Sequence, residues 1–237
     1  MKNINPTLRP SINHNNRQPW NWLVYQCNDK FLHKYSPYYK GTLYDLGCGT
    51  RPYESFFLNF AHKYVGIDWG SSVHKLKADI VADLNKPLPV ESNCADTIVC
   101  LSVLEHLCEP QCLIDEAYRM MKPGATIILQ VPWQWWIHEA PYDFFRYTPY
   151  GLRYMLEKAG FSNVEVQPTC GFFSMWFLKM NYFSLRFIKG PRLLRGIIKL
   201  CLMPCWYLGQ ATAPLLDKLD KDWAAETVSY YVIADKK

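Results

Sequence analysis

The sequence predicts an α/β chain organised on a doubly wound, mainly parallel sheet, and three observations carry that prediction. Short apolar, β-branched runs alternate with amphipathic helical stretches, which places helices on both faces of a parallel sheet. The first such run, Thr42–Leu46, breaks into a glycine turn, Gly47-Cys48-Gly49-Thr50, where the backbone must bend and admit a close neighbour that a Cβ would block. An acid, Asp68, ends the next run 21 residues after Gly47, the distance at which a strand-end carboxylate reaches both hydroxyls of a ribose. A turn or helix-capping aspartate is the plain alternative for Asp68. Because Thr50, Arg51 and Pro52 follow Gly49, the third glycine of the dinucleotide fingerprint is absent, which argues against a dehydrogenase.

Each element follows in turn. Residues 1–18 read as a flexible arm. Over 19–35, Trp20, Leu23, Val24, Cys27, Phe31 and Leu32 recur at helical spacing, giving an amphipathic helix that packs on the sheet or forms a lid. After strand 42–46 come a helix over 53–62, a strand at 64–67 ending in Asp68, and a third strand at 78–82 followed by Asp83 and Leu84. Residues 96–102 are apolar and β-branched enough for a strand buried on both faces; 103–107 leave it. Pro110 opens a helix that Lys122-Pro123-Gly124 closes, and 125–131 is the fifth strand. Thr148 and Pro149 start a helix that Gly160 stops. Strands at 161–166 and 227–234 complete the pattern. The implied organisation is an arm and helix at 1–40, a core at 41–170, an insertion at 171–222 and a closing strand at 223–237.

The composition, 49% hydrophobic and 20% charged over 237 residues, is that of a folded chain with a large core. The opening segment is polar and proline-containing, unlike a secretory leader. Nine cysteines without a CxxC pair or matching histidines read as reduced thiols of a cytoplasmic protein rather than a zinc cluster. Charge is uneven. Residues 166–216 contain no Asp or Glu but hold Lys179, Arg186, Lys189, Arg192, Arg195 and Lys199, so removing these +6 from the net +5 leaves −1 elsewhere.

Six motifs in order, Tyr44-Asp-Leu-Gly-Cys-Gly-Thr50, Val65-Gly-Ile-Asp68, Ala82-Asp-Leu84, Asp96-Thr-Ile-Val-Cys100, Val103-Leu-Glu-His-Leu107 and Met121-Lys-Pro-Gly124, resemble the class I S-adenosylmethionine-dependent methyltransferases, in their small-molecule (type 11-like) branch. The resemblance covers about 42–167 plus the last strand. It implies a Rossmann-like, seven-stranded sheet with the last strand antiparallel, a helical insertion before that strand, and S-adenosyl-L-methionine as cofactor. It also implies that Asp45 and the Gly47-Cys48-Gly49 turn lie beside the methionine part. Asp68, with Trp69 next to it, would bind the ribose; Asp83 and the Leu84 backbone would meet the adenine edge; Ser102 would line the floor near the sulfonium. Asp79 rivals Asp83, because both flank the same short strand.

The acceptor is expected at the exit of strand five, where Pro132-Trp-Gln-Trp-Trp-Ile-His-Glu-Ala-Pro-Tyr-Asp-Phe-Phe-Arg-Tyr147 mixes seven aromatic rings with His138, Glu139, Asp143 and Arg146. The segment resembles a subgroup linked to bacterial cell-surface sugars or lipids that carries an Asp-x-x-Arg-aromatic-Thr pattern. His138 is the first choice for a general base, since an ordinary imidazole titrates near 6.5. His106 is the second candidate. Asp143 is a third, although its spacing from Arg146 also suits a loop-fixing pair. Glu105 and His106 offer only two metal donors, so no metal is expected. The motif that base-amino methyltransferases of DNA carry after strand four is missing, Ser102-Val-Leu-Glu105 standing there instead, so nucleic acid is not expected as a partner.

In 171–216, Arg192, Arg195 and Lys199 share one helical stripe beside Leu194, Ile197, Ile198 and Cys201, with Phe172, Phe173, Trp176, Phe177, Trp206 and Tyr207 around them. A basic face, an apolar face and aromatic rims describe an interfacial helix at a membrane surface. The competing readings are a cap that buries its own apolar stripe, or a homodimer contact. The function expected is methyl transfer to a small-molecule, glycan or lipid-linked acceptor at oxygen. Its rivals are a cofactor-binding module without turnover and a peripheral membrane protein.

Overall fold

The computed structural model describes residues 9–12, 14–70, 77–220, 222 and 225–237. Its seven strands form one sheet: β1 (Thr42–Leu46), β2 (Lys63–Asp68), β3 (Ile80–Val81), β4 (Ala95–Leu101), β5 (Met121–Pro132), β6 (Ser162–Pro168) and β7 (Ser229–Asp235), in the order β3-β2-β1-β4-β5-β7-β6. Strands β1 to β5 pair in parallel, and β7 runs antiparallel between β5 and β6. The expected sheet is therefore present, antiparallel last strand included. Strand order reverses between β1 and β4, so the crevice that such sheets open for ligands lies at the carboxyl ends of those two strands.

Both sheet faces are covered, because successive strand residues point to opposite sides. One core holds Leu46, Ile98, Ile127, Leu129 and Val232 under α3 (Pro110–Met120) and α4 (Pro149–Ala159). The other holds Leu43, Val99, Ile128 and Tyr231 under α1 (Trp22–Lys34) and α2 (Glu54–Phe57). Phe31 of α1 stacks on Tyr231 at 4.7 Å, so this helix packs on the sheet and is no lid. Thr148 caps α4 through its side chain and Gly160 ends it in the left-handed region, as expected.

Three expectations are corrected. The described part of the arm is docked: the Ser11 N–H and hydroxyl donate to the two oxygens of Asp29 on α1, both at 2.8 Å. The first eight residues of the arm lie outside the described residues. The helix expected over 53–62 stops after Phe57, and Asn59 donates back to the Ser55 and Phe56 carbonyls, a local bond that competes with helix continuation. Finally, the insertion does not bury its apolar stripe. It forms two helices, α5 (Phe172–Ser184) and α6 (Arg192–Leu216). Phe177 packs on Gly209 and Ser184 accepts from Trp206, so the two run antiparallel. The far half of α6 stands clear, with Leu193, Ile197 and Leu200 at 78%, 51% and 69% exposure. Among the described residues no helix is long and apolar enough to cross a membrane, and all nine cysteines are free.

Candidate functional site

The glycine turn is built by strain and by a lack of room. Gly47 and Gly49 have φ of +81° and +52°, where only glycine is at ease. The Gly47 and Cys48 N–H groups both donate to the Ile67 carbonyl, at 2.8 and 3.2 Å, which clamps the turn to β2. A Cβ on Gly47 would sit 2.2 Å from Val103, whereas one on Gly49 would meet nothing within 4 Å. The turn is thus tight on its β4 side and open beside Gly49. Cys48 is buried, its sulfur 2.7 Å from where a Cβ on Gly66 would lie; burial pushes its thiol up to about 12, so it packs rather than reacts.

Two carboxylates border the turn. Asp68 accepts the Gly49 N–H at 2.7 Å on one oxygen and the Trp69 N–H at 2.8 Å on the other. A carboxylate has about four acceptor positions, so these bonds aim Asp68 and leave lone pairs for hydroxyls. Asp45 accepts the Tyr64 hydroxyl at 2.5 Å, and burial pushes its carboxyl up to about 7. A cation beside it would draw that value back down.

Of the rivals at β3, Asp79 is already committed: it accepts the Gly66 N–H at 2.8 Å and pairs closely with Arg51. Asp83 closes a local turn by accepting the Asn85 N–H at 3.0 Å, a bond that holds its carboxyl below the usual range. The neighbouring Leu84 is buried in the sheet core.

The exits of β4 and β5 are laced together. Ser102 sits at φ +56° with its N–H on the Gln130 carbonyl at 2.8 Å and its hydroxyl on the Gln130 side chain. A non-glycine residue held in that region stores strain of the kind that gathers at ligand sites. The Glu105 carbonyl accepts the N–H groups of Phe144 and Phe145, and the Tyr147 hydroxyl donates to the Leu104 carbonyl at 2.9 Å. Trp69, next to Asp68, meets Tyr142 edge-on at 5.1 Å. The exits of β2, β4 and β5 therefore converge, and the residues expected to hold the cofactor adjoin the expected acceptor segment.

At this junction Glu105 is fully buried, neither of its oxygens has a hydrogen-bond partner, and burial pushes its carboxyl up to about 8. The Nε2 atoms of His106 and His138 lie 3.7 and 3.9 Å from one Glu105 oxygen, and the two rings are 4.8 Å apart. The sequence offered Glu105 and His106 as only two donors; the fold brings His138 as a third, all within 4.8 Å of one another. Burial, and then the neighbouring His106, lower the pKa of His138. Asp143 is not free for chemistry. It accepts the His138 N–H at 2.8 Å and both Arg146 donors at 2.5 and 2.7 Å. Burial opposes its charge, but the Arg146 bonds prevail and hold it at about 2. Asp143 thus positions the loop. Sequence reading missed Tyr64, Gln130 and Tyr142, whose roles depend on strand register and loop docking.

The open cradle at Gly49 and the outer lone pairs of Asp68 fit a nucleoside, and buried Asp45 fits a cationic group beside it. Residues 20–166 match the family described as Methyltransferase domain. A ubiquinone biosynthesis O-methyltransferase of Pseudomonas paraeruginosa is 26% identical over 102 residues, 37% of this chain and 43% of that enzyme. The chain thus spans less than half the length of that curated relative. A methyltransferase structure from Archaeoglobus fulgidus superposes with a TM-score of 0.55 at 17% identity, covering 89% of this chain and 94% of that one. A Haemonchus contortus phosphoethanolamine N-methyltransferase 2 bound to S-adenosyl-L-methionine gives 0.55 at 15% identity, covering 98% and 60%. Sheet order, glycine cradle and family match agree, and this chain belongs to the methyltransferase-domain family, the class I S-adenosylmethionine-dependent methyltransferases.

Proposed function

We propose that this chain methylates a hydroxyl oxygen of a small or lipid-linked acceptor brought to it at an anionic membrane surface. The observation that carries the oxygen assignment is the pair of imidazoles at the exits of β4 and β5, with Nε2 atoms beside Glu105. An alcohol must shed its proton as the carbon–oxygen bond forms, whereas an unprotonated amine need not. His138 suits that task. Its Nδ1 lies 3.2 Å from the Trp136 carbonyl, which favours a proton on Nδ1 and a lone pair on Nε2, and its lowered pKa keeps it neutral at pH 7.

Bound S-adenosylmethionine supplies an electrophilic methyl carbon on a sulfonium. The chain's residues do the rest. Asp68 and the Gly47–Gly49 cradle hold the nucleoside, Asp83 and the Leu84 backbone take the adenine edge, and Ser102 lines the floor. With the cofactor bound, its methyl carbon would pass to an acceptor oxygen, the carbon–sulfur electrons staying with its sulfur, and the acceptor proton would go to the His138 Nε2. Alignment of this kind contributes up to about 7–11 kcal/mol. The relative from Pseudomonas paraeruginosa is an O-methyltransferase, which agrees with oxygen. The lipid-side acceptor is supported by α5 and α6, whose Tyr182 meets Trp136 of the acceptor segment at 3.8 Å between ring centres.

Labelled-methyl transfer into cell extracts, fractionated into lipids, glycans, proteins and small metabolites, tests the proposal. Label is expected in the lipid or small-metabolite fraction, and label confined to protein overturns the acceptor class. With the acceptor so found, His138→Ala is expected to cut turnover about 10²–10⁴-fold with cofactor affinity intact. A near-normal rate removes His138 from the proton's path.

A further inference from the structure

We infer that Glu105, His106 and His138 form a binding site for a divalent transition-metal ion of the Zn2+ class. Three features of the cluster are those of a ligand set. First, the donor atoms converge, two imidazole nitrogens at 3.7 and 3.9 Å from one Glu105 oxygen and all three within 4.8 Å of one another. Donors on one tetrahedral ion with bonds of about 2.0–2.2 Å sit about 3.4 Å apart, so the two imidazole–carboxylate distances would shorten by about 0.3–0.5 Å and the widest donor separation, at most 4.8 Å, by up to about 1.4 Å. Second, both imidazoles are oriented from behind. His106 Nδ1 is 2.7 Å from the Tyr142 carbonyl and His138 Nδ1 is 3.2 Å from the Trp136 carbonyl. A backbone carbonyl on Nδ1 fixes the proton there and turns the Nε2 lone pair outward, as in established histidine–metal sites. Third, Glu105 is fully buried with both oxygens unpartnered. A buried polar group without a partner is costly to leave unmet, and an ion between Glu105 and the two imidazoles would meet it.

The chemistry of the donors selects the ion. Two imidazoles and one carboxylate suit Zn2+, Co2+, Mn2+ or Fe2+, whereas Mg2+ and Ca2+ prefer all-oxygen shells. Three protein ligands leave a position open, as at catalytic rather than structural zinc sites. The role of the ion, though not its binding, rests on the reading of the chain as an O-methyltransferase. With an ion bound, an acceptor hydroxyl in the open position would be more acidic and its proton would pass to water; the proposed direct transfer to His138 applies to the ion-free chain, where Nε2 is unligated.

The test uses the full-length chain freed of metal with a chelator and dialysed. Calorimetric titration with Zn2+ should show one ion per chain, and Co2+ should give the visible absorption of a low-coordinate site. Glu105→Gln and His138→Gln should each weaken Zn2+ binding at least about 100-fold, since even outer-shell changes cost 10–100-fold. Binding of S-adenosylhomocysteine, measured on the same samples, should be unchanged. No binding of Zn2+ or Co2+ by a chain that binds S-adenosylhomocysteine overturns the metal site and leaves the methyltransferase reading standing. Zn2+ affinity retained in both variants overturns the ligand assignment, and Mg2+ binding as tightly as Zn2+ overturns the ion class. Because His138 lies in a loop, its variant remains informative if Glu105→Gln fails to fold. Zn2+ binding by a chain that transfers no methyl group supports the site and overturns its role.

Discussion

A carboxyl group buried beside the glycine cradle makes folding and ligand binding depend on protons in opposite ways. Asp45 ionises near 3.8 in an unfolded chain and at about 7 in the fold, because burial disfavours its charge. Between those values the folded chain keeps a proton that the unfolded chain has lost, so stability falls as pH rises from about 4 to about 7. A cationic cofactor reverses the preference by favouring the charged carboxylate. Asp45→Asn should therefore raise the thermal midpoint of the free chain at about pH 8, by roughly 2–4 °C per kcal/mol relieved, and change nothing near pH 4. Its cofactor affinity should lose the rise from pH 6 to pH 8 expected of the natural chain; parallel pH profiles in both proteins would remove Asp45 from the linkage. Asp68→Ala should weaken cofactor binding by about 1–3 kcal/mol, because it removes the hydroxyl acceptor and releases the Gly49 N–H together. Unchanged affinity in calorimetry would refute the ribose assignment. The turn at Gly47 was legible in the sequence because its backbone, at φ +81°, admits few residue types. The cluster around Glu105 was not, since His138 lies 33 positions downstream and reaches it only through the docking of two loops.

Among the elements, α5 shows how a helix without a local cap is held. Gly171 at its N-cap has no side chain to offer, and Asp217, beyond the far end of α6, supplies the acceptor instead. One Asp217 oxygen takes the Phe173 and Ser174 N–H groups at 2.9 and 3.1 Å; the other takes the Gly171 N–H at 3.0 Å and the Ser174 hydroxyl at 2.5 Å. Asp217 is also the first acid after the acid-free run, and it is turned inward rather than toward the basic face. Asp217→Ala should cost about 1–2 kcal/mol, the upper range for a lost cap, visible as a lowered thermal midpoint; Asp217→Asn should recover part of it. A midpoint unchanged in Asp217→Ala would mean that α5 is fixed by packing alone. Sequence reading placed six of the seven strands within a few residues, most plainly at β4, because a strand buried on both faces is written as a nearly unbroken apolar run. The exception is β3, only Ile80–Val81 of the expected 78–82, where Asp79 turns instead to Arg51 and Gly66. Helix ends were harder. Pro204 and Pro214 lack the N–H that an interior helical position donates, yet α6 passes through both for 25 residues, with its central and C-terminal parts held against α5 and α1.

At the scale of the whole molecule, charge and apolar exposure coincide on one projecting element. Arg192, Arg195 and Lys199 stand beside Leu193, Ile197 and Leu200 on the exposed half of α6. Water-facing apolar side chains on a basic helix suit the headgroup layer of an anionic bilayer, where each basic residue contributes about 1 kcal/mol. Replacing the three basic residues with glutamate changes the charge by −2 at each, from +5 to −1 overall. The triple variant should lose sedimentation with vesicles containing phosphatidylglycerol, while transfer to a water-soluble acceptor continues at its former rate. Binding of the natural chain should also weaken as salt rises, because the Debye length shrinks from about 10 Å at 0.1 M to about 3 Å at 1 M. Equal sedimentation of both proteins with anionic vesicles would remove the electrostatic contact. A natural chain that ignores vesicles but sediments as a dimer, with the variant monomeric, would assign the same face to a second copy of the chain. The three arms separate because only a bilayer makes binding depend on lipid charge, and only self-association makes mass depend on protein concentration.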